Sequence, residues 1–195
     1  MKVTHSLICI LLPVLFRISL TKITLNSGNY DFLIVISDNI EEQHGIAVIK
    51  AIKHSFSYAS LLLYNATHNY TQFGDISIVI PHKWDASVFE EVVEPAVATQ
   101  HIKTADVLVD VPSPLYGNEP YTPQFSGCGQ EGEFMYLTPR FLMDEYYTRT
   151  LFGSIDMVIV HQWGRLRWGL PSTYKSHHST YHRGVSQVSS IKFSS

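Results

Sequence analysis

The residues of this chain best placed to act together chemically are His161, Gln162 and Arg165, in the run His161-Gln162-Trp163-Gly164-Arg165. On a helix, His161 and Arg165 lie one turn apart and face the same way. At that spacing two imidazoles at i and i+4 can grip a zinc ion, while a Glu beside the first takes a proton from the metal-bound water. Here the frame is kept, but two of its three working residues differ. His161 is in place; an amide and a guanidinium stand at the other two positions.

These residues need a helix to position them, and Gly153–Gly169 supplies the pattern. Ile155, Val158, Ile159, Gln162 and Leu166 lie close to one stripe, Ser154 can cap the start, and Gly169 then Pro171 can stop the end. A helix is the favoured reading; a strand through Val158-Ile159-Val160 is the alternative. Upstream, Tyr30–Ser37 reads as a fully buried strand. Asp38 or Asn39 can cap a following helix whose first turn carries Glu41 and Glu42. Its inward face comprises Ile46, Ile49, Phe56 and Ser60, with Ile52 and Ala59 beside them. Asp75–Ile80 reads as a second buried strand stopped by Pro81, and Ala105–Val111 as a third stopped by Pro112. Strand, helix, strand and strand again is the rhythm of an α/β layer with a mostly parallel sheet. Residues 112–132 form a long Pro/Gly-punctuated loop, which in a compact domain is functional or clamped by something else. Gly132–Pro139 then returns as a short strand, Arg140–Thr150 as a helix, and residues 175–195 as a disordered Ser/His-rich tail.

Composition narrows the classes without naming an activity. The 195 residues suffice for one domain with a sizeable core, and 45% hydrophobic content excludes a fully disordered chain. Charged residues make up only 16%, which leans towards export or membrane association. A net charge of -3 leaves no electrostatic footprint for a nucleic-acid backbone, so nucleic-acid partners are excluded.

The N-terminus carries an address. Lys2 precedes the apolar run Leu7–Phe16, closed by Arg17, with the dimensions of a secretory signal peptide and too short for a membrane span. Cleavage falls near residues 19–22, so residues 1–21 are assigned to the signal. No second stretch approaches spanning length, which predicts a soluble, extracellular mature chain with no stable membrane span. Asn65-Ala66-Thr67 and Asn69-Tyr70-Thr71 are both N-glycosylation sequons. Of the two cysteines, Cys9 leaves with the signal and Cys128 stays unpaired. A lone thiol in an oxidising compartment points to an intermolecular pair, a free buried thiol, or a chain missing its partner region.

Longer stretches carry a resemblance. His161–Gly169 (HQWGRLRWG) resembles the HEWAHLRWG stretch of the calcium-activated chloride channel regulator (CLCA) family. Pro120–Leu142 resembles that family's PYT-Q-GCG-GEYIHLTP-FLL segment, and Ile76–Trp84 and the strand at Tyr30 also match its N-terminal domain. The similarity covers about residues 22–174. It implies a secreted, glycosylated protein with a zincin-like layered fold, a mostly parallel sheet and a central helix of the His-Glu-x-x-His type. It also implies modulation of chloride conductance through a channel partner.

Residue by residue, the resemblance places His161 at the first zinc-ligand position, Gln162 at the general base and Arg165 at the second His. The family's acidic residue falls at Ser172 or Thr173, neither a carboxylate. A neutral amide cannot accept the proton, a role worth about 10²–10⁴ in rate. A structural zinc site draws roughly 10–16 kcal/mol from a complete ligand set, so one imidazole beside a guanidinium should hold no stable zinc. The expectation is a pseudoenzyme with no catalytic residues and no cofactor, where intact relatives hold zinc. It would act by binding an extracellular protein or a chloride channel, and an active secreted zinc peptidase is the rival reading. Cys128 would then lack partners supplied by a downstream Cys-rich region, as in a truncated product. Arg165 and Arg167 read as packing or ion-pair residues, and Trp163 and Trp168 as core and interface aromatics. His177, His178 and His182 read as solvated tail, and Glu131 and Glu133 lack the spaced oxygen set that calcium needs.

Overall fold

The structure is a computed structural model in which residues 25–89, 105–126 and 129–171 are described. The signal segment, Cys128, Ser172, Thr173 and the tail with His177, His178 and His182 lie outside the described residues.

Strand β1 (Leu25–Asn26) turns back antiparallel onto β2 (Asn29–Ile36). Ser27 and Gly28, both at positive φ (50° and 88°), make the turn, a conformation that glycine adopts without strain. β2 is central. β3 (Gln72–Val79) runs parallel along one side of it, β4 (Val107–Val109) along the other, and β5 (Met135–Leu137) adds parallel outside β4. Neighbouring parallel strands need a long crossover, and helix α1 (Gly45–Ala66) supplies it between β2 and β3. After β5 come α2 (Pro139–Met143), α3 (Glu145–Leu151) and α4 (Ile155–Trp168).

The alternation along β2 shows where the core sits. Tyr30, Phe32, Ile34 and Ile36 point to the face covered by α1 and α4, while Leu33 and Val35 point to the other, against Ala105 and Val79. Strand burial on both faces is what the unbroken apolar run demanded. On the helix face Trp163 of α4 is fully buried, with ring centroids 5.3, 5.1 and 4.8 Å from those of Tyr30, Phe32 and Phe73.

Several element boundaries differ from the sequence reading. Asp38 and Asn39 do not cap α1. The Asn39 side chain donates to Asp110 at 3.1 Å, and a 3-10 turn at Glu42–His44 precedes the helix. Ile46 is exposed, and Val48 and Leu63 take buried places instead. Ser60 does face inward, where its hydroxyl accepts from the Phe73 amide. β3 starts earlier and is only half-buried, because it pairs with β2 alone among the described strands. β4 is shorter, since the Asp110 carboxylate already serves the following turn. Arg140–Thr150 is two helices rather than one: Asp144 leaves helical geometry and its carboxylate accepts from the Tyr147 amide, capping α3. Finally, Glu42–Ala66 has the length and mean hydropathy (1.3) of a membrane span, contrary to expectation. Its apolarity is accounted for by a stripe from Val48 to Leu63 packed on the sheet.

Candidate functional site on helix α4

The favoured helix forms, and its ends follow local rules. Ser154 is extended at the N-cap, although its hydroxyl makes no capping bond. At the other end Gly169 adopts φ 64°, and the amides of Gly169 and Leu170 donate to Arg165 O and Gly164 O, the Schellman pattern. Val158, Ile159, Gln162 and Leu166 are buried as the stripe required, and Ile155 packs against the same core.

The face bearing His161 and Arg165 is covered by the chain's own loop. Pro120 O accepts from Gln162 Nε2 at 3.2 Å, and the Thr122 hydroxyl donates to Gln162 O at 3.3 Å. Gln124 Oε1 accepts from both Nε and Nη2 of Arg165, at 3.2 and 3.1 Å, and Gln124 Nε2 donates back to Arg165 O at 3.4 Å. Further along, the amides of Gly132 and Gly129 donate to Leu166 O and Gly169 O, each at 2.9 Å. Arg167 and Glu131 form an ion pair at 2.5 Å, which removes Glu131 from any cation site. The long loop is therefore clamped to α4 from its third turn to its cap.

The electrostatics follow from this enclosure. Burial lowers the pKa of His161, and the neighbouring Arg165 guanidinium lowers it further, so the ring is neutral at pH 7. Burial also lowers that of Arg165, while Tyr116 and Glu119 act in the opposite direction. Gln162 is 5% exposed, and its Oε1 has no hydrogen-bond partner among the described residues. Beside the loop, the rings of Tyr116, Tyr121 and Tyr136 lie in series, with centroids 4.4 and 4.9 Å apart. The Tyr136 hydroxyl donates to Val111 O at 2.6 Å, and burial foremost pushes its pKa up to about 12.

This geometry meets the sequence comparison directly. A family profile described as "Calcium-activated chloride channel N terminal" matches residues 23–195. The chain belongs to the CLCA N-terminal family. It is similar to calcium-activated chloride channel regulator 2 of Homo sapiens, 32% identical over 170 residues and 87% of this chain. It is 35% identical to regulator 1 of Mus musculus over 159 residues, or 82% of the chain. The chain spans only 17% of the length of each of these relatives. No solved structure matches it.

The zinc implied by the CLCA resemblance does not fit the residues present. Of the expected ligands only His161 offers a lone pair. Arg165 holds a permanent positive charge one turn away, tied to Gln124, and Gln162 offers an amide already bonded to the loop. Among the described residues no group of three or more His, Cys, Asp and Glu could hold a metal ion. The structure brings together His161, Gln162 and Arg165 as the motif implied. Arg167 pairs with Glu131 and Trp163 is core, while Trp168 is 39% exposed and edges onto Tyr30. Asn65 and Asn69 are both exposed, in the last turn of α1 and just beyond it, where Asn69 takes φ 66°. Sequence reasoning missed Gln124, Thr122 and Pro120 as partners of the motif. The only signal was the length of the loop that carries them.

Proposed function

We propose that this chain is a secreted CLCA-type domain that has given up the peptidase reaction and acts by binding other proteins. The observation that carries this reading is the bonding of Arg165 and Gln162. Both residues at positions required for hydrolysis are engaged in holding residues 120–124 against α4. A guanidinium there repels a dication, and an amide has no basicity to lend a water molecule. The N-terminal apolar run and the two exposed sequons support export and glycosylation at Asn65 or Asn69.

Purified from a secretory host, the protein should carry zinc far below one equivalent and should cleave neither itself nor a peptide library. Stoichiometric zinc with cleavage abolished by His161→Ala would overturn the reading. The names of the relatives favour a second outcome of binding, regulation of a calcium-activated chloride channel. Co-expression with such a channel should then change current density, and unchanged current would exclude this outcome while leaving the binding reading intact.

A further inference from the structure

Away from the His161 face, a groove of about 820 Å³ runs between α1 and the segment from α2 to the start of α4. One wall is a single stripe of α1, with Ala47, Lys50, Ala51, His54, Ser55 and Tyr58 at helical spacing. The small side chains of Ala47 and Ala51 leave the space that Leu142 and Met143 border from the other side, making an apolar floor. The size is that of a site for a small molecule or a few peptide residues.

The far end of the groove is built to receive negative charge. Gly153, Ser154, Ile155 and Asp156 line it, so the first turn of α4 opens there. The amides of Ile155, Asp156 and Met157 belong to the first helical turn, where no intrahelical acceptor exists, and the Ser154 side chain does not cap them. A second observation points the same way. Ser55 lines the groove at 2% exposure, and its hydroxyl makes no hydrogen bond among the described residues. Its neighbour Ser57 meets the ordinary fate of a helix serine, donating to Lys53 O at 2.7 Å. Lys50 and Arg149 stand on the two rims.

The carboxylates of the groove restrict what kind of anion fits. Glu145 pairs with Arg149 at 3.5 Å, and Asp156 sits in the first turn of α4 itself. A phosphate or a sulfated sugar, carrying several negative charges, would meet Asp156. A single carboxylate followed by apolar residues and backbone N–H donors suits the whole lining. We propose that this groove binds the C-terminal end of a partner polypeptide, its carboxylate on the open turn of α4 and its last apolar side chains over Ala47 and Ala51. The proposal stands independently of whether the His161 site is catalytic.

The test uses the full chain, isotope-labelled, titrated with acetyl-Leu-Leu as the free acid, as its carboxamide, and with acetate alone. The free acid should shift the amide resonances of Ile155, Asp156 and Met157 saturably, and the carboxamide and acetate should bind far more weakly. Lys50→Gln should weaken the free acid by about two- to fivefold and Asp156→Asn should tighten it by a similar factor, the range set by one charge near a helix start. Both positions are at least partly exposed, so the fold should tolerate either change. Equal binding of acid and carboxamide, shifts elsewhere, acetate matching the peptide, or indifference to both substitutions would each overturn the proposal.

Discussion

His161 is the one residue of the zinc-peptidase frame that this chain retains, and its surroundings have turned it from a ligand into a neutral, partly buried ring. Burial and Arg165 both hold its pKa below the ordinary histidine value. The unfolded chain protonates at about pH 6.5, so below that pH the unfolded state binds more protons. The contribution of His161 is therefore intact above about pH 6.5 and is lost as pH falls towards the lowered folded value. Urea midpoints measured from pH 8 down to pH 5 should decline, and His161→Gln should flatten part of that decline. Arg165→Gln should move the His161 titration, followed by proton resonance, upwards; a downward move would show that the guanidinium is not what depresses it. The amide of Gln162 and the guanidinium of Arg165 could be read from the chain as unfit for hydrolysis. Their second use could not, because Pro120 and Gln124 lie some forty positions away in the sequence.

Helix α4 is held by three separate means: apolar burial of one stripe, the Gly169 cap, and the loop strapped along it. Gly169 has the strictest demand. A Cβ there would fall 2.4 Å from Gln130 O, and its positive φ costs a side-chain residue about 1–2 kcal/mol before any clash. Gly169→Ala should therefore lower stability by more than about 1–2 kcal/mol by urea denaturation, and a neutral result would contradict the described cap. Trp163→Ala should cost about 3–5 kcal/mol, the ordinary range for emptying a fully buried tryptophan site. Gln124→Ala removes the acceptor of Arg165 and should raise hydrogen exchange in residues 120–124 while leaving the β2 amides protected. The start and stop of α4 were legible because its capping signals are local. The split at Asp144 was not, since a carboxylate turning back to an amide three residues on competes with continuing the helix.

The protein as a whole is a parallel sheet with its main core on the side of α1 and α4, and the zinc-type frame has become part of that core's upholstery. A protein that binds a metal only when folded gains stability with metal concentration. Here neither excess zinc nor a chelator should shift the thermal midpoint. For the double variant Gln162→Glu with Arg165→His, a zinc-dependent rise should appear only if Ser172 or Thr173 is also made acidic. A zinc-dependent rise in the unmodified protein would restore the peptidase reading. The chain covers 17% of its relatives' length, so partner assays are best made beside the corresponding region of a longer relative.

Family, export signal, sequons, strand identities and the loss of two catalytic functions all follow from residues adjacent in the chain. Such features depend on local chemistry: a period of two or 3.6, a cap, a missing carboxylate. What only the tertiary structure decided is which groups meet. The clamp of residues 120–132 on α4, the neutral state of His161, and the groove where α1 faces the open end of α4 all join segments far apart in sequence. No local pattern encodes such a meeting, because it is the packing of helices on the sheet that sets the distances between them.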